Sequence, residues 1–441
     1  MRRKHLMSIC FFVIIALLCL APAWRLLAAP AATVVGDGTP ASCTAGALAA
    51  AVATGGAVTF VCGAAPVTIT TGELTIATGQ TVTIDGGHLV TLSGGGVNRH
   101  FKVEAGATLR LHALVLTGGA VTGSGGAIFN EGQVTLDQVT LRNNHAEGDP
   151  LAWEGSGGAI LSSGALEIVS SRLIANRAID MGGAIALFTA MPDSPPSLSI
   201  DDAHFEDNVS GNGGGAAYLE GNVLIQASRI ISNVAPAGGG LEFGPNGEFT
   251  LGDSIVARNQ ADTDLGGGLY IVGGVTQISG SVIEENSSLG GGGGVYINPN
   301  YGAEVTIYDS AIRRNRTLGQ NPPYSLTGIV GGGIYNGATL QLDGVQIEGN
   351  EAGEAAGLYN YSEASHLTVQ NSAIVGNRAA TVAGGLWSSS ADVQRFTNVT
   401  VSGNHAGAFA GGVYFSGGPV ALTHVTLANN QSLDGANLHL T

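Results

Sequence analysis

The sequence predicts an all-β protein, a right-handed parallel β-helix (β-solenoid), and three observations support this prediction. Glycine accounts for 70 of the 441 residues, 44% of the residues are hydrophobic and only 11% are charged. Glycine destabilises helix interiors, and a chain this apolar and poorly charged does not stay disordered. Two short motifs also alternate along most of the chain, separated by short segments with the period-two hydrophobicity of strands.

The first motif is a pair of small residues, usually Gly-Gly, followed by a small residue, an aliphatic residue and one variable residue. Eleven copies are present, and they begin at residues 125, 157, 182, 214, 238, 266, 292, 331, 355, 383 and 410. Glycine at such positions permits tight turns and close approach between backbones. We therefore expect these copies to form turns that recur once per repeat.

The second motif is an apolar residue followed three positions later by asparagine. Asparagine tolerates the left-handed conformation, and its amide can bond nearby backbone groups. We therefore expect the asparagines to stack inside turns and to bond from one repeat to the next, as a structural ladder formed by Asn144, Asn176, Asn208, Asn233, Asn259, Asn286, Asn315, Asn350, Asn377, Asn404 and Asn430.

A repeat of this length holds about three short strands and cannot bury its own apolar face, whereas stacked repeats can. Strands of successive rungs would then pair in parallel at about 4.8 Å per rung. The strong preference for right-handed crossovers between parallel strands sets the handedness. The sequence therefore predicts about eleven regular rungs over residues 125–441.

Residues 32–124 form the predicted N-terminal region of irregular rungs, and residues 44–54 read as a short helix that caps the open end of the solenoid. Cys43 and Cys62 are expected to form a disulfide beside this cap, with two buried free thiols as the alternative. A metal site needs more ligands than two cysteines, so we predict no metal there.

Residues 1–31 have the layout of a secretory signal peptide, with a basic start, an apolar run over residues 7–20 and small residues near two cleavage positions. An uncleaved membrane anchor is the alternative. Cleavage would remove four basic residues and change the net charge from −16 to −20. So acidic a chain does not suit nucleic acid, and no later segment is long enough to span a membrane. We therefore expect a secreted or cell-surface protein.

The alternation of GGAI-type and FxxN-type motifs, such as residues 125–128, 157–160, 182–185 and 205–208, resembles the repeat region of chlamydial polymorphic outer-membrane proteins. It is also similar to related secreted bacterial β-helix proteins of the pectin-lyase-like fold group. The resemblance covers residues from about 125 to 430. It implies a secreted or surface-exposed protein with an adhesin-like role.

One outward face combines acidic and basic side chains that could perform acid–base chemistry. Strand alternation places Asp202, His204 and Glu206 outward in one rung, and the adjacent rungs contribute Arg172 and Arg229. The alternative is a solvated, charge-balanced sheet face. We predict no cofactor. Asp262 and Asp264 offer oxygen ligands that Ca²⁺ accepts, but two carboxylates are too few to predict a calcium site.

An aromatic residue follows the aliphatic position of the Gly-Gly motif in most later copies, and alternation places it outward. It either stabilises the sheet by stacking or forms a ridge that binds sugar rings or a partner protein. The six expected ligand-binding residues are Tyr270, Tyr296, Tyr335, Tyr359, Trp387 and Tyr414.

Three functions follow from these features. The first is an adhesin-like binding protein for a polysaccharide or a surface protein of a host or neighbouring cell, assisted by insertions at residues 145–156, 187–197 and 316–330. The second is a polysaccharide lyase or hydrolase that acts through the acid–base face. The third is a structural spacer. The sequence gives no clear catalytic motif, so it favours binding over catalysis.

Overall fold

The computed structural model describes residues 32–149, 154–189, 195–319, 329–361 and 365–441. They form a parallel β-solenoid, and the predicted fold class is confirmed. The predicted signal peptide over residues 1–31 lies outside the described residues, as do parts of the three insertions. No helix of the described chain has both the length and the apolar character that crossing a membrane would require.

The described part of the solenoid has three sheets, which we number 1 to 3 in the order in which a regular rung passes through them. Sheet 2 contributes a strand to each of about 14 turns. The expectation of eleven regular rungs plus irregular N-terminal rungs is therefore close to the number formed. Its strands are Val67–Thr70, Val90–Ser93, Val115–Thr117, Thr140–Arg142, Arg172–Ile174, His204–Glu206, Arg229–Ile231, Ile255–Ala257, Val282–Glu284, Ala311–Arg313, Gln346–Glu348, Ala373–Val375, Thr400–Ser402 and Thr426–Ala428.

Another sheet, here sheet 3, contains eleven short strands, and ten of them directly follow a ladder asparagine. These strands are only two to five residues long, because the Asn turn and the Gly-Gly turn lie close on either side. They are Ala120–Thr122, His145–Glu147, Arg177–Ala178, Val209–Ser210, Val234–Ala235, Gln260–Ala261, Ser287–Ser288, Arg316–Thr317, Glu351–Glu354, Arg378–Val382 and His405–Ala406.

The largest sheet, sheet 1, has 25 strands arranged in two parallel stacks. The first stack follows the Gly-Gly turns in the regular repeats. It consists of Leu74–Ile76, Phe101–Val103, Ile128–Asn130, Ile160–Ser162, Ile185–Leu187, Ile334–Asn336, Leu358–Asn360, Leu386–Ser388, Val413–Phe415 and Leu438–Leu440. The second stack consists of Thr33–Val35, Gly56–Phe60, Thr81–Asp85, Thr108–His112, Gln133–Asp137, Ala165–Val169, Ser197–Asp201, Thr339–Asp343, His366–Gln370, Gln394–Thr397 and Val420–Thr423. Four long strands run through both stacks: Ala217–Gln226, Leu241–Gly252, Leu269–Ser279 and Val295–Tyr308.

The interior of the solenoid is one continuous apolar core with contributions from all three sheets. Inward positions alternate with outward ones along each strand, so that Phe205 is 1% exposed and Ile283 is fully buried. Burying one such side chain stabilises the fold by about 1.5–3 kcal/mol.

The predicted asparagine ladder lies in the turns between sheet 2 and sheet 3. From Asn144 to Asn404, each amide Nδ2 donates to Oδ1 of the next asparagine over 2.9–3.1 Å, and the last acceptor is Asn430. Each backbone N–H in the same series donates to that same Oδ1, as Asn286 does to Asn315 over 3.0 Å. The amides therefore satisfy polar groups that the core would otherwise leave without partners.

The N-terminal end is closed by a helix over Ala45–Thr54, which buries Leu48, Ala51 and Val52 against the first rungs. Thr44 caps this helix, because its Oγ1 accepts from the Ala47 N–H over 3.2 Å. A disulfide joins Cys43 to Cys62. A short 3₁₀ turn, Pro40–Ser42, precedes the helix.

Candidate functional site

Six aromatic side chains stack on the outer side of the first stack of sheet 1. In-register parallel pairing places each one directly over the next along the solenoid axis. Successive ring centroids lie 5.3, 4.4, 5.4, 5.1 and 5.3 Å apart. We call this set the aromatic column: Tyr270, Tyr296, Tyr335, Tyr359, Trp387 and Tyr414.

The aromatic column packs against a wall formed by the turns that precede the Gly-Gly motifs. Val330, Val382 and Phe409 each lie one position before such a motif. They join four rings of the column in an apolar cluster separate from the interior core, namely Tyr335, Tyr359, Trp387 and Tyr414. The flanking residues on the same strands, such as Leu269 and Ile271, belong to the core. The rings therefore lie outside the solenoid tube, in the angle between sheet 1 and the turns.

Burial alternates along the aromatic column. Tyr296 and Tyr359 are only 7% and 9% exposed, whereas Tyr270, Tyr335 and Trp387 are partly exposed. Tyr414 is also partly exposed at the C-terminal end. From Tyr270 to Trp387 the column thus offers partly exposed rings at every second rung, and it is not the uniform ridge that strand alternation alone suggests.

The polar atoms of the column have defined partners. Asn298 Nδ2 donates to the Tyr270 hydroxyl over 2.8 Å, and Trp387 Nε1 donates to Ser416 Oγ over 3.1 Å. Burial raises the pKa of Tyr335 to about 12 and raises the pKa of Tyr359 further. The phenols are therefore neutral hydrogen-bonding groups near pH 7.

A glutamate replaces the aromatic residue at one position beside the column. Glu242 pairs in register with Tyr218 on one side and Tyr270 on the other. It is 9% exposed, and burial together with the nearby carboxylates of Asp264 and Asp180 raises its pKa to about 8. We did not expect this site from the sequence. The signal is present there, because the motif copy GGGLE that begins at residue 238 has glutamate where most later copies have an aromatic residue.

Other carboxylates accompany the column. Burial raises the pKa of Asp264, which lies two residues before a Gly-Gly motif, and of Glu354, which lies in the wall near Tyr359. Asp180 is buried and accepts hydrogen bonds from Ser156 Oγ over 2.9 Å and from Asn212 Nδ2 over 3.2 Å. The column is therefore bordered by several buried or partly buried carboxyl groups.

The predicted acid–base face is partly assembled on sheet 2. His204 pairs in register with Arg172 on one side and Arg229 on the other, and its Nε2 lies 3.5 Å from Glu206 Oε2. Burial and the two guanidinium groups lower the pKa of His204, although Glu206 opposes them. Asp202 instead occupies the turn before this strand and accepts from Ser170 Oγ over 3.0 Å.

No group of three or more His, Cys, Asp or Glu in the described ranges has an arrangement that could hold a metal ion. The pair formed by Asp262 and Asp264 thus gains no third metal-ligating side chain there.

The chain matches no protein-family model, and no curated protein or solved structure shows detectable similarity to it.

Proposed function

We propose that the protein is an exported cell-surface or extracellular binding protein that holds an extended glycan along the aromatic column. The observation that carries this proposal is the in-register row of partly exposed rings at Tyr270, Tyr335 and Trp387. The faces and edges of aromatic rings pack well against the apolar faces of sugars, while hydroxyl and indole groups bond sugar hydroxyls. The proposed compartment fits the disulfide between Cys43 and Cys62.

The spacing favours a glycan over a peptide. The exposed rings are two rungs apart, which is about 10 Å at the usual strand separation. This distance is close to the disaccharide repeat of an extended 1,4-linked chain. In contrast, equivalent side chains of an extended peptide recur every two residues, or about 6.6 Å, and would lose register with the rings.

The repeat motifs support a surface role. They resemble those of chlamydial polymorphic outer-membrane proteins and related secreted members of the pectin-lyase-like group, and an adhesin-like activity follows from that resemblance. A stacked β-solenoid also presents one chemical pattern over many rungs, which suits contact with a polymer at several points.

The test is calorimetric titration of the secreted protein with a panel of soluble polysaccharides. We expect Tyr335→Ala and Trp387→Ala each to weaken binding at least tenfold. Tyr308→Ala is the matched control, because Tyr308 is 39% exposed on the second stack of sheet 1, away from the column. Equal affinity in all three variants, or binding to no polysaccharide, would refute the proposal.

A polysaccharide lyase or hydrolase is the second candidate, and the contact between His204 and Glu206 beside two arginines favours it. Prolonged incubation with the same polysaccharides tests it. New reducing ends that are absent with His204→Ala would support catalysis. Unchanged polymer length would refute catalysis and leave binding as the proposed function. A protein that neither binds nor cleaves would be a structural spacer.

A further inference from the structure

The aromatic column runs beside carboxylates that have no cationic partner. Glu242, Asp264 and Glu354 form no ion pair with any Lys or Arg of the described residues. Glu242 lies beside the first ring, Asp264 precedes the same rung, and Glu354 lies in the wall near Tyr359. Carboxyl groups without a cationic partner therefore border the column over several rungs.

Glu242 is the most informative of the three because it is nine-tenths buried. No salt bridge reaches its carboxylate within the parts of the chain that the structure describes. Its Oε2 lies where residue 213 has no side chain, since a Cβ built on Gly213 would be 1.9 Å away. The glycine thus makes room for a carboxylate that the fold itself does not neutralise. Burying such a group without a partner is unfavourable, and a bound cation would remove that penalty.

The same stack of sheet 1 shows how a cation fits beside its rings. Near its N-terminal end, the Arg99 guanidinium lies 5.3 Å from the centre of the Phe129 ring. Arg99 Nη1 pairs with Glu73 over 2.5 Å, and Arg99 Nε donates to the Gly125 carbonyl over 2.8 Å. Phe129 occupies the motif position that the column tyrosines occupy later in the chain. In that rung the chain supplies a cation between a ring and a carboxylate, whereas near Glu242 and Glu354 it supplies only the ring and the carboxylate.

We infer that the glycan held by the aromatic column is cationic, an amino-sugar polymer whose free ammonium groups pair with Glu242, Asp264 and Glu354 while its sugar rings contact the exposed aromatic rings. This inference rests on the proposed glycan-binding function and specifies its ligand. Aromatic rings attract cations through their quadrupole, most strongly when the site is shielded from water. The net charge of −16 would add long-range attraction for a polycation.

The pairing has a pH signature. Glu242 is largely protonated in the free protein below about pH 8, and a bound ammonium favours its ionised form. Binding should then release a proton, and affinity for a permanently charged ligand should rise with pH up to about 8. The titratable groups that face Glu242 and enter this balance are Asp180, Asp264, Tyr218 and Tyr270.

The experiment compares three ligands of one length, each long enough to span the six rungs of the column. They are β-1,4-linked glucosamine oligomers with free amines, the same oligomers fully N-acetylated, and neutral β-1,4-glucan oligomers. We expect the free-amine oligomer to bind at least tenfold more tightly than the other two. Glu242→Gln and Glu354→Gln should each remove most of that preference. Glu167→Gln, an exposed carboxylate on the second stack of sheet 1, should not.

The outcomes separate the two proposals. Equal binding of all three ligands would overturn the cationic inference and keep the glycan-binding function, whereas binding of none would overturn both. Equally tight binding of oligolysine would overturn the assignment to an amino sugar in favour of a basic peptide. A trimethylated amino oligomer should gain affinity between about pH 6 and about pH 8 with the native protein, and Glu242→Gln should abolish that gain. A gain that persists in Glu242→Gln contradicts the role assigned to Glu242.

Discussion

Glu242 is a residue whose effect on the stability of its rung conflicts with its proposed role in ligand binding. Its position in the repeat is taken by tyrosine or tryptophan in the six rungs of the column, where stacking and burial both favour the fold. At Glu242 the same position is as buried as at Tyr296 and Tyr359, but a carboxylate loses hydration there. A residue that costs stability in the free protein is a candidate for function.

The pH dependence of stability should report on this cost. The folded pKa of Glu242, about 8, lies above its unfolded value near 4.5, so its neutral form contributes stability that is complete below about pH 4.5 and is lost as the pH rises through about 8. Glu242→Gln should therefore unfold at a higher urea concentration than the native protein at about pH 8.5, by a few kcal/mol in free energy.

At about pH 4.5 the native protein and Glu242→Gln should differ little, because the native side chain is then neutral. Glu167→Gln serves as the control for the loss of one carboxylate, since Glu167 is exposed on the second stack of sheet 1. If the stability of Glu242→Gln parallels that of the native protein at every pH, the raised pKa of Glu242 is wrong.

The Gly-Gly turn is the element that permits rungs to stack closely. A Cβ added to Gly267 would lie 2.4 Å from the backbone carbonyl oxygens of Ser287 and Gly293 in the next rung. Gly267 N donates to the Gly292 carbonyl over 3.1 Å, so the two rungs cannot separate without losing this hydrogen bond. The glycine excess thus follows from close contact between backbones at each turn.

We therefore expect Gly267→Ala to destabilise the protein by more than about 3 kcal/mol or to prevent folding. Gly72→Ala is the matched control, because a Cβ there meets nothing within 4 Å and the residue is exposed. It should change the free energy of unfolding by less than about 1 kcal/mol. Urea denaturation followed by circular dichroism measures both, and similar midpoints for the two variants would refute the close-contact explanation.

The elements also show why some features were predictable and others were not. The Asn ladder and the six-ring column recur at fixed offsets from a motif, so periodicity was enough to place them. The burial of Tyr359 follows from an apolar cluster with Val330 and Val382, which lie one position before the Gly-Gly motifs of adjacent rungs, and alternation along a single strand does not reveal this contact. In the sequence, Glu242 marks only one motif copy in which glutamate replaces the aromatic residue. Its burial is explained by the space beside Gly213, which only the structure shows.

At the scale of the whole molecule, the two ends of the solenoid differ. The N-terminal end has a helix over Ala45–Thr54 and a disulfide, and Val35 in the first strand is only 1% exposed. In the last rung, the strand Leu438–Leu440 pairs only with Val413–Phe415 among the described residues. Leu433 and Leu440 in this rung are 89% and 65% exposed. Because each rung is stabilised mainly by its neighbours, a rung that pairs on one side only receives about half of the usual support.

Hydrogen exchange should therefore be asymmetric along the solenoid. We expect amides in Val420–Thr423 and Leu438–Leu440 to exchange at least tenfold faster than those in Gln394–Thr397, which pairs on both sides. Amides in the first rung should resemble the interior, because the helix and the disulfide hold that rung in place. Mass spectrometry of peptides from the intact chain measures all three regions. Equal protection at both ends would contradict this expectation and would indicate that another molecule covers the last rung in solution.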